Sequence, residues 1–160
     1  MRRLKCLVRD EEASELVEFV LAVGIFLTLI FGIIEFCLAI YAGSFVAFAA
    51  QQGTRYAMVR GSDWTGSCAS VSSYGCNATA SNVQNYILSL QPPGLNLKAT
   101  DIAATWPGTT ADGASAGCAT VPNGQGCQVK VNVSYTFNLG IPHFAVGLPF
   151  SSTSIETIQN

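Results

Sequence analysis

The chain has 160 residues, of which 49% are hydrophobic and 11% are charged, and its net charge at neutral pH is −2. Average soluble domains carry about a quarter charged residues, so the composition is not that of an ordinary soluble protein. Nucleic-acid binding needs a basic surface, and the net charge therefore predicts no nucleic-acid partner.

The amino-terminal residues form a charged head in which basic side chains precede acidic ones. The basic residues are Arg2, Arg3, Lys5 and Arg9. Under the positive-inside rule, the side of a membrane protein that carries lysine and arginine stays in the cytoplasm, and neighbouring acids count little. We therefore expect a cytoplasmic amino terminus and an external carboxyl-terminal part.

The stretch ELVEFVLAVGIFLTLIFGIIEF, residues 15–36, is apolar except for its glutamates, and Glu18 and Glu35 bracket an uncharged run. As a helix, that run covers roughly 24 Å, which is less than a hydrocarbon core of about 30 Å. One carboxylate must therefore lie at or inside the membrane edge. We expect Glu35 in the last turn at the far interface, where it extends toward water, or alternatively in a polar contact between helices.

The apolar pattern predicts one helix from about residue 14 to about residue 60, with a membrane-spanning segment at about 19–41. Small residues recur every four positions at Ala39, Gly43 and Ala47. Such a stripe lets another helix approach closely. Small residues are also common in membrane helices in general, and that alternative stays open.

Four of the six cysteines lie after residue 60, on the side where disulfides persist: Cys68, Cys76, Cys118 and Cys127. Four cysteines allow three pairings. The cysteines that bracket short turns rich in glycine, serine and asparagine are favoured as partners, namely Cys68 with Cys76 and Cys118 with Cys127.

Residues 61–160 are predicted to form a small domain. Helical spacing of apolar residues predicts a short helix within 80–92, and a weak alternation predicts a strand within 97–106. The cleanest strand pattern lies at 128–139, and a further strand is expected at 152–158. The expected fold class is α+β: a long amino-terminal transmembrane helix, then a disulfide-containing extracytoplasmic domain with an antiparallel sheet and one short helix.

Residues for chemistry are scarce in this sequence. The only histidine, His143, lies between a proline and a phenylalanine, and no C-x-x-C pair is present for zinc. No nucleophile motif or phosphate-binding glycine loop occurs. We therefore expect no catalytic residue, no metal, no cofactor and no enzyme activity.

The apolar stretch and the AAQQGTRYAMV that follows it resemble the TadE-type pseudopilins, minor pilin-like proteins of the tight-adherence (Flp-type) branch of type IV pilus systems. The family pattern opens an apolar helix with Glu-Phe, here Glu18-Phe19. A Gly-Ile-Ile-Glu-Phe turn follows at 32–36, and an A-x-x-G-x-R-Y-A segment at 50–57. The resemblance covers roughly residues 13–60.

The resemblance implies that a prepilin peptidase cuts between Ala13 and Ser14, which makes residues 1–13 a leader and Glu18 the fifth residue of the mature chain. The family usually has glycine where this chain has Ala13. Glu18 and Phe19 are then assembly residues, because a carboxylate can neutralise the new amino terminus of a neighbouring subunit. In the alternative, Glu18 is the last solvated residue, favoured there by the helix dipole.

The function implied is a structural component in assembly of a Tad pilus or related secretion apparatus, anchored in the inner membrane or placed in a surface pilus. The expected partners are the lipid bilayer, the prepilin peptidase, other pilin-like subunits and Tad assembly proteins. One alternative is a single-pass protein whose external domain binds a ligand or partner. Another is a secreted protein cleaved near residues 47–49, but its apolar run exceeds the usual roughly 7–15 residues and contains Glu35.

Overall fold

The computed structural model describes residues 2–64, 77–115, 117–140 and 146–159, with only the backbone described for residues 2–13. The described residues form two α-helices, one turn of 3₁₀ helix at Ala99–Asp101, and three strands. These are α1 (Arg2–Val59), α2 (Ala80–Ser89), β1 (Ile102–Thr105), β2 (Gln128–Asn138) and β3 (Gly147–Thr157). The α+β class, with its long first helix and antiparallel sheet, is confirmed.

Helix α1 ends at Val59, close to the predicted end, but it begins at Arg2 rather than near residue 14. The head consists mainly of Arg, Lys, Leu and Glu, which favour helix, and no proline interrupts it. The predicted start of the helix is at the membrane edge, because the hydrophobicity of the sequence rises there. The helical backbone depends on propensity as well and therefore starts earlier.

The chain divides into two compact units, residues 1–38 and residues 39–160. The second unit includes the end of α1, which the sequence does not assign to the domain expected at 61–160. Ala42, Ala49 and Ala50 in this part of the helix are fully buried. The end of the helix is therefore one wall of the core of the second unit.

The sheet has the order β1-β2-β3, and both neighbouring pairs are antiparallel. Alternation along the central strand β2 turns Val129, Val131 and Val133 inward, where all three are fully buried. Strand β3 begins at Gly147, earlier than the expected strand at 152–158, and it includes Pro149. A proline weakens the strand pattern in a sequence, so this start was not predicted. The strand forms nevertheless, because proline is tolerated on an edge strand.

Glycine permits the close approach of α1 to α2 and the sheet. A Cβ atom added at Gly53 would lie 2.6 Å from Cδ1 of Ile87 and 3.1 Å from Cγ1 of Val131. One residue further, the buried Thr54 Oγ1 lies 2.9 Å from Ser154 Oγ on β3. A side chain at position 53 would therefore displace the buried Ile87 or separate the helix from the sheet.

We expect Gly53→Ala to lower the free energy of unfolding of the 39–160 unit by about 1–2 kcal/mol, because overpacking costs about 1–3 kcal/mol and helix propensity returns up to about 1 kcal/mol. The measurement is urea unfolding of the full chain in detergent. Gly32→Ala is the control, since an added Cβ there meets no atom within 4 Å. Equal stability of Gly53→Ala and the parent would contradict the packing described.

A disulfide joins Cys118 to Cys127, which confirms one of the two bonds predicted from the sequence. Both cysteines are buried within the core of the second unit. The other two candidates, Cys68 and Cys76, lie outside the described residues.

Closing a loop of this length restricts the unfolded chain by roughly 2–3 kcal/mol. We therefore expect the double variant Cys118→Ala/Cys127→Ala to lose about that much stability in urea unfolding. Dithiothreitol should destabilise the double variant less than the parent, because the variant has no Cys118–Cys127 bond left to reduce. A double variant as stable as the oxidised parent would show that the bond does not support this fold.

Candidate assembly site on the apolar helix

The segment Ser14–Val59 is long and apolar enough to cross a membrane, with a mean hydropathy of 2.6 in its most apolar window. None of that window is buried within the molecule. Phe19, Ile25 and Phe26 are each 62–71% exposed. A continuous apolar surface of this kind requires lipid or other apolar helices around it.

The structure places the predicted assembly residues at the beginning of this surface. The Glu18 side chain is exposed, and Phe19 beside it is 67% exposed. No described residue forms a hydrogen bond or ion pair with the Glu18 carboxylate. Glu35, at the other end of the uncharged run, is half-buried. A single chain therefore leaves Glu18 available to a partner.

The predicted cleavage position lies inside helix α1. Ala13 and Ser14 both have helical backbone, and the Ser14 side chain is exposed. Proteolysis favours segments that can leave regular structure. Cleavage between these residues therefore requires the first part of the helix to unwind locally.

A second group of small residues, which was not predicted from the sequence, lies within the apolar surface. Gly24, Thr28 and Gly32 recur every four residues, so they lie along one face of the helix. Thr28 Oγ1 donates to the Gly24 carbonyl at 2.8 Å, and Gly24 and Gly32 have open space where a Cβ would be. A groove of about 480 Å³ includes Gly24 and Thr28 in its lining. The four-residue spacing was the available signal, because it marks close helix packing in membranes.

The small-residue stripe predicted for packing against another helix lies in the second unit. Ala39 is buried, and Gly43 and Ala47 are half-buried. A Cβ at Gly43 would lie 3.1 Å from Cδ1 of Phe150, so strand β3 of the same chain occupies that position. Small residues admit a sheet as readily as a helix, and contact of this stripe with another helix stays a prediction.

An arginine stacked with aromatic rings lies where α1 ends. The Arg60 guanidinium carbon is 4.3 Å from the centroid of the Tyr56 ring and 5.4 Å from that of Trp64. Tyr56 in turn stacks on Tyr86 of α2, with centroids 4.6 Å apart. These residues and Arg55 line a cleft of about 470 Å³. The cation–π contacts and the ring stack join the end of α1 to α2.

Side chains of the types that usually bind metal ions are dispersed in the part of the chain that the structure describes. Within that part, no three residues of the types His, Cys, Asp and Glu are close enough together to hold a metal ion. Cys37 is an exposed free thiol. His143 lies outside the described residues.

The model of the TadE-like protein family matches residues 14–55 of this chain. No curated protein and no solved structure matches this chain. The match includes Glu18, Phe19 and the small residues at 24–32. It confirms the resemblance drawn from the sequence and supports a component associated with the Tad pilus.

Proposed function

Taking the TadE-like segment at 14–55 as the premise, we propose that this protein is a minor pilin-like structural subunit in assembly of a Tad (Flp-type) pilus or related secretion apparatus. It acts by association and not by catalysis. The observation that carries the proposal is an apolar helix surface that no other described residue covers; it begins at Glu18, which has no partner among the described side chains, and it falls within the family match.

In the proposed topology, α1 crosses the inner membrane once, with its basic head in the cytoplasm and the 39–160 unit outside. The head contains Arg2, Arg3, Lys5 and Arg9, which are retained in the cytoplasm. The Cys118–Cys127 disulfide supports an external position for the second unit, because disulfides persist in oxidising compartments.

A reporter fused after residue 160 tests this topology. Alkaline phosphatase, which needs external disulfide formation, is expected to be active, and a green fluorescent protein fused at the same place to be dark. In the matched control, each reporter is inserted between residues 13 and 14, ahead of the membrane-spanning segment, and the pattern of activity should reverse. Phosphatase activity only after residue 13 would mean that the orientation is inverted.

Processing by a prepilin peptidase between Ala13 and Ser14 would create the mature amino terminus. The family usually has glycine at this position, and alanine is the closest residue to it in size. Ala13 should therefore fit a peptidase subsite that accepts only small side chains. The charged head keeps the bond on the cytoplasmic side, and local unwinding of α1 exposes it.

Glu18 would then join neighbouring subunits. A charged amino terminus among apolar helices is costly unless an opposite charge pairs with it. The exposed Glu18 carboxylate of one copy can supply that charge, which sets the stagger between two helices. Phe19 adds apolar contact beside it, and the open positions at Gly24 and Gly32 allow the helices to approach closely.

We expect Glu18→Ala to insert in the membrane and fold normally but to co-purify with its pilin-like partners at a level reduced about tenfold, since pairing within a membrane contributes about 1–2 kcal/mol. Glu15→Ala is the matched control: it removes the same charge about one turn earlier, at an exposed position before the uncharged run begins. The readout is the yield of partner subunits recovered with tagged protein from native membranes. Normal recovery with Glu18→Ala would disprove this role.

The arginine-aromatic cleft favours the second candidate function, in which the external domain of a single-pass protein binds a ligand. The cleft has a volume of about 470 Å³, is largely open to solvent, and is lined by Arg55, Arg60 and three aromatic rings. The two functions differ in their dependence on the helix, because ligand binding in the second unit would not require Glu18.

A further inference from the structure

Within the part of the chain that the structure describes, the outer edge of strand β3 has no paired strand. Strand β2 pairs with β3 from Gly147 to Thr157, and among the described residues no other strand pairs with it. A row of free backbone donors and acceptors of this length is a template for a further strand.

Two hydrogen bonds define which amides point to that edge. Leu139 N donates to Val146 O at one end of the β2–β3 pair, and Ile158 N donates to Cys127 O at the other. Because the pattern in an antiparallel pair alternates, the even-numbered residues of β3 bond to β2 and the odd-numbered ones face away. Pro149 is odd-numbered, consistent with a nitrogen that has no hydrogen to donate.

After Pro149, four backbone N–H groups therefore point to the open edge, those of Ser151, Thr153, Ile155 and Thr157. No hydrogen bond from these amides to another described residue is present. Gln159, next in the odd-numbered row, donates its N–H to the Met58 carbonyl at 2.9 Å and so ends the open stretch.

The opposite edge of the sheet is protected, and the contrast is informative. Strand β1 has only four residues, and Gln84 of α2 donates through Nε2 to the Ile102 carbonyl at 2.9 Å. Proteins usually protect long edges with charge, proline or a covering element. The open stretch of β3 contains one charged residue, Glu156, and its proline lies before it.

We propose that a second copy of this chain pairs antiparallel with the open edge of β3, around a two-fold axis at Ser154. This register places Ser151 opposite Thr157 of the second copy and Thr153 opposite Ile155, so that all four open amides find carbonyl partners. It also places Glu156 opposite Ser152, which keeps the two glutamates apart. The edge is thus complementary to itself in hydrogen bonding and in charge.

This contact lies wholly within the 39–160 unit. It requires neither Glu18 nor the apolar surface, and it can be absent while the pilin-like function holds, or present while that function fails.

The test is amide hydrogen exchange of the full chain in detergent at several protein concentrations. Exchange at Ser151, Thr153, Ile155 and Thr157 is expected to slow at least tenfold from low to high concentration. The amides of Ser152 and Ser154, which face β2, should be slow throughout. Rapid exchange of the four edge amides at every concentration would overturn the proposal.

Thr153→Pro removes one edge donor from each copy without removing a bond to β2, and we expect it to weaken association about tenfold or more. Thr153→Ala is the matched control, because it keeps the N–H, and it should associate like the parent. Ile155→Lys places a charge on the same edge and should weaken association even if the proline variant does not fold. If Ile155→Lys and a folded Thr153→Pro both keep the concentration-dependent protection of the remaining edge amides, then the copies do not pair through this edge, and the proposal is wrong.

Discussion

The constraint on which the structure depends is that the apolar surface of α1 must be removed from water. Burying one large aliphatic or aromatic side chain is favourable by about 1.5–3 kcal/mol, and the described residues cover none of the most apolar part of the helix. Lipid or other helices must therefore cover it. An ion pair at Glu18 adds little energy by comparison, but it can determine which arrangement of helices is adopted, because apolar surfaces alone specify no stagger.

One helix serves two different environments because its small residues are used differently along its length. In the second unit, glycine at positions 43 and 53 lets Phe150 and Ile87 approach the helix backbone, and the core is closed. In the first unit, Gly24 and Gly32 face open space. Glycines thus allow an intramolecular contact in one unit and leave an open surface in the other.

The sequence predicts elements that depend on local periodicity and fails where pairing decides. Strand β2 was predictable because its valines alternate, and the Cys118–Cys127 bond because the loop is short. The start of β3 at Gly147 was not, since pairing with β2 forms it despite Pro149. The sequence shows a glycine at position 53 but does not show that Ile87 packs against it, because that contact depends on the tertiary fold. At the site, Glu18 stands out in the sequence by its charge. The open amides of β3 cannot be predicted in this way, because they depend on which residues of β3 form hydrogen bonds with β2.

The measurement that tests the central claim most directly is the amino-terminal residue and intact mass of the protein purified from native membranes. A pilin-like subunit anchored by its own helix should begin at Ser14 and retain the whole apolar segment. A protein that begins at Met1 would contradict prepilin processing and leave a plain membrane anchor. A protein that begins near Ala50 would have lost the segment to a signal peptidase, and that result would contradict the account as a whole.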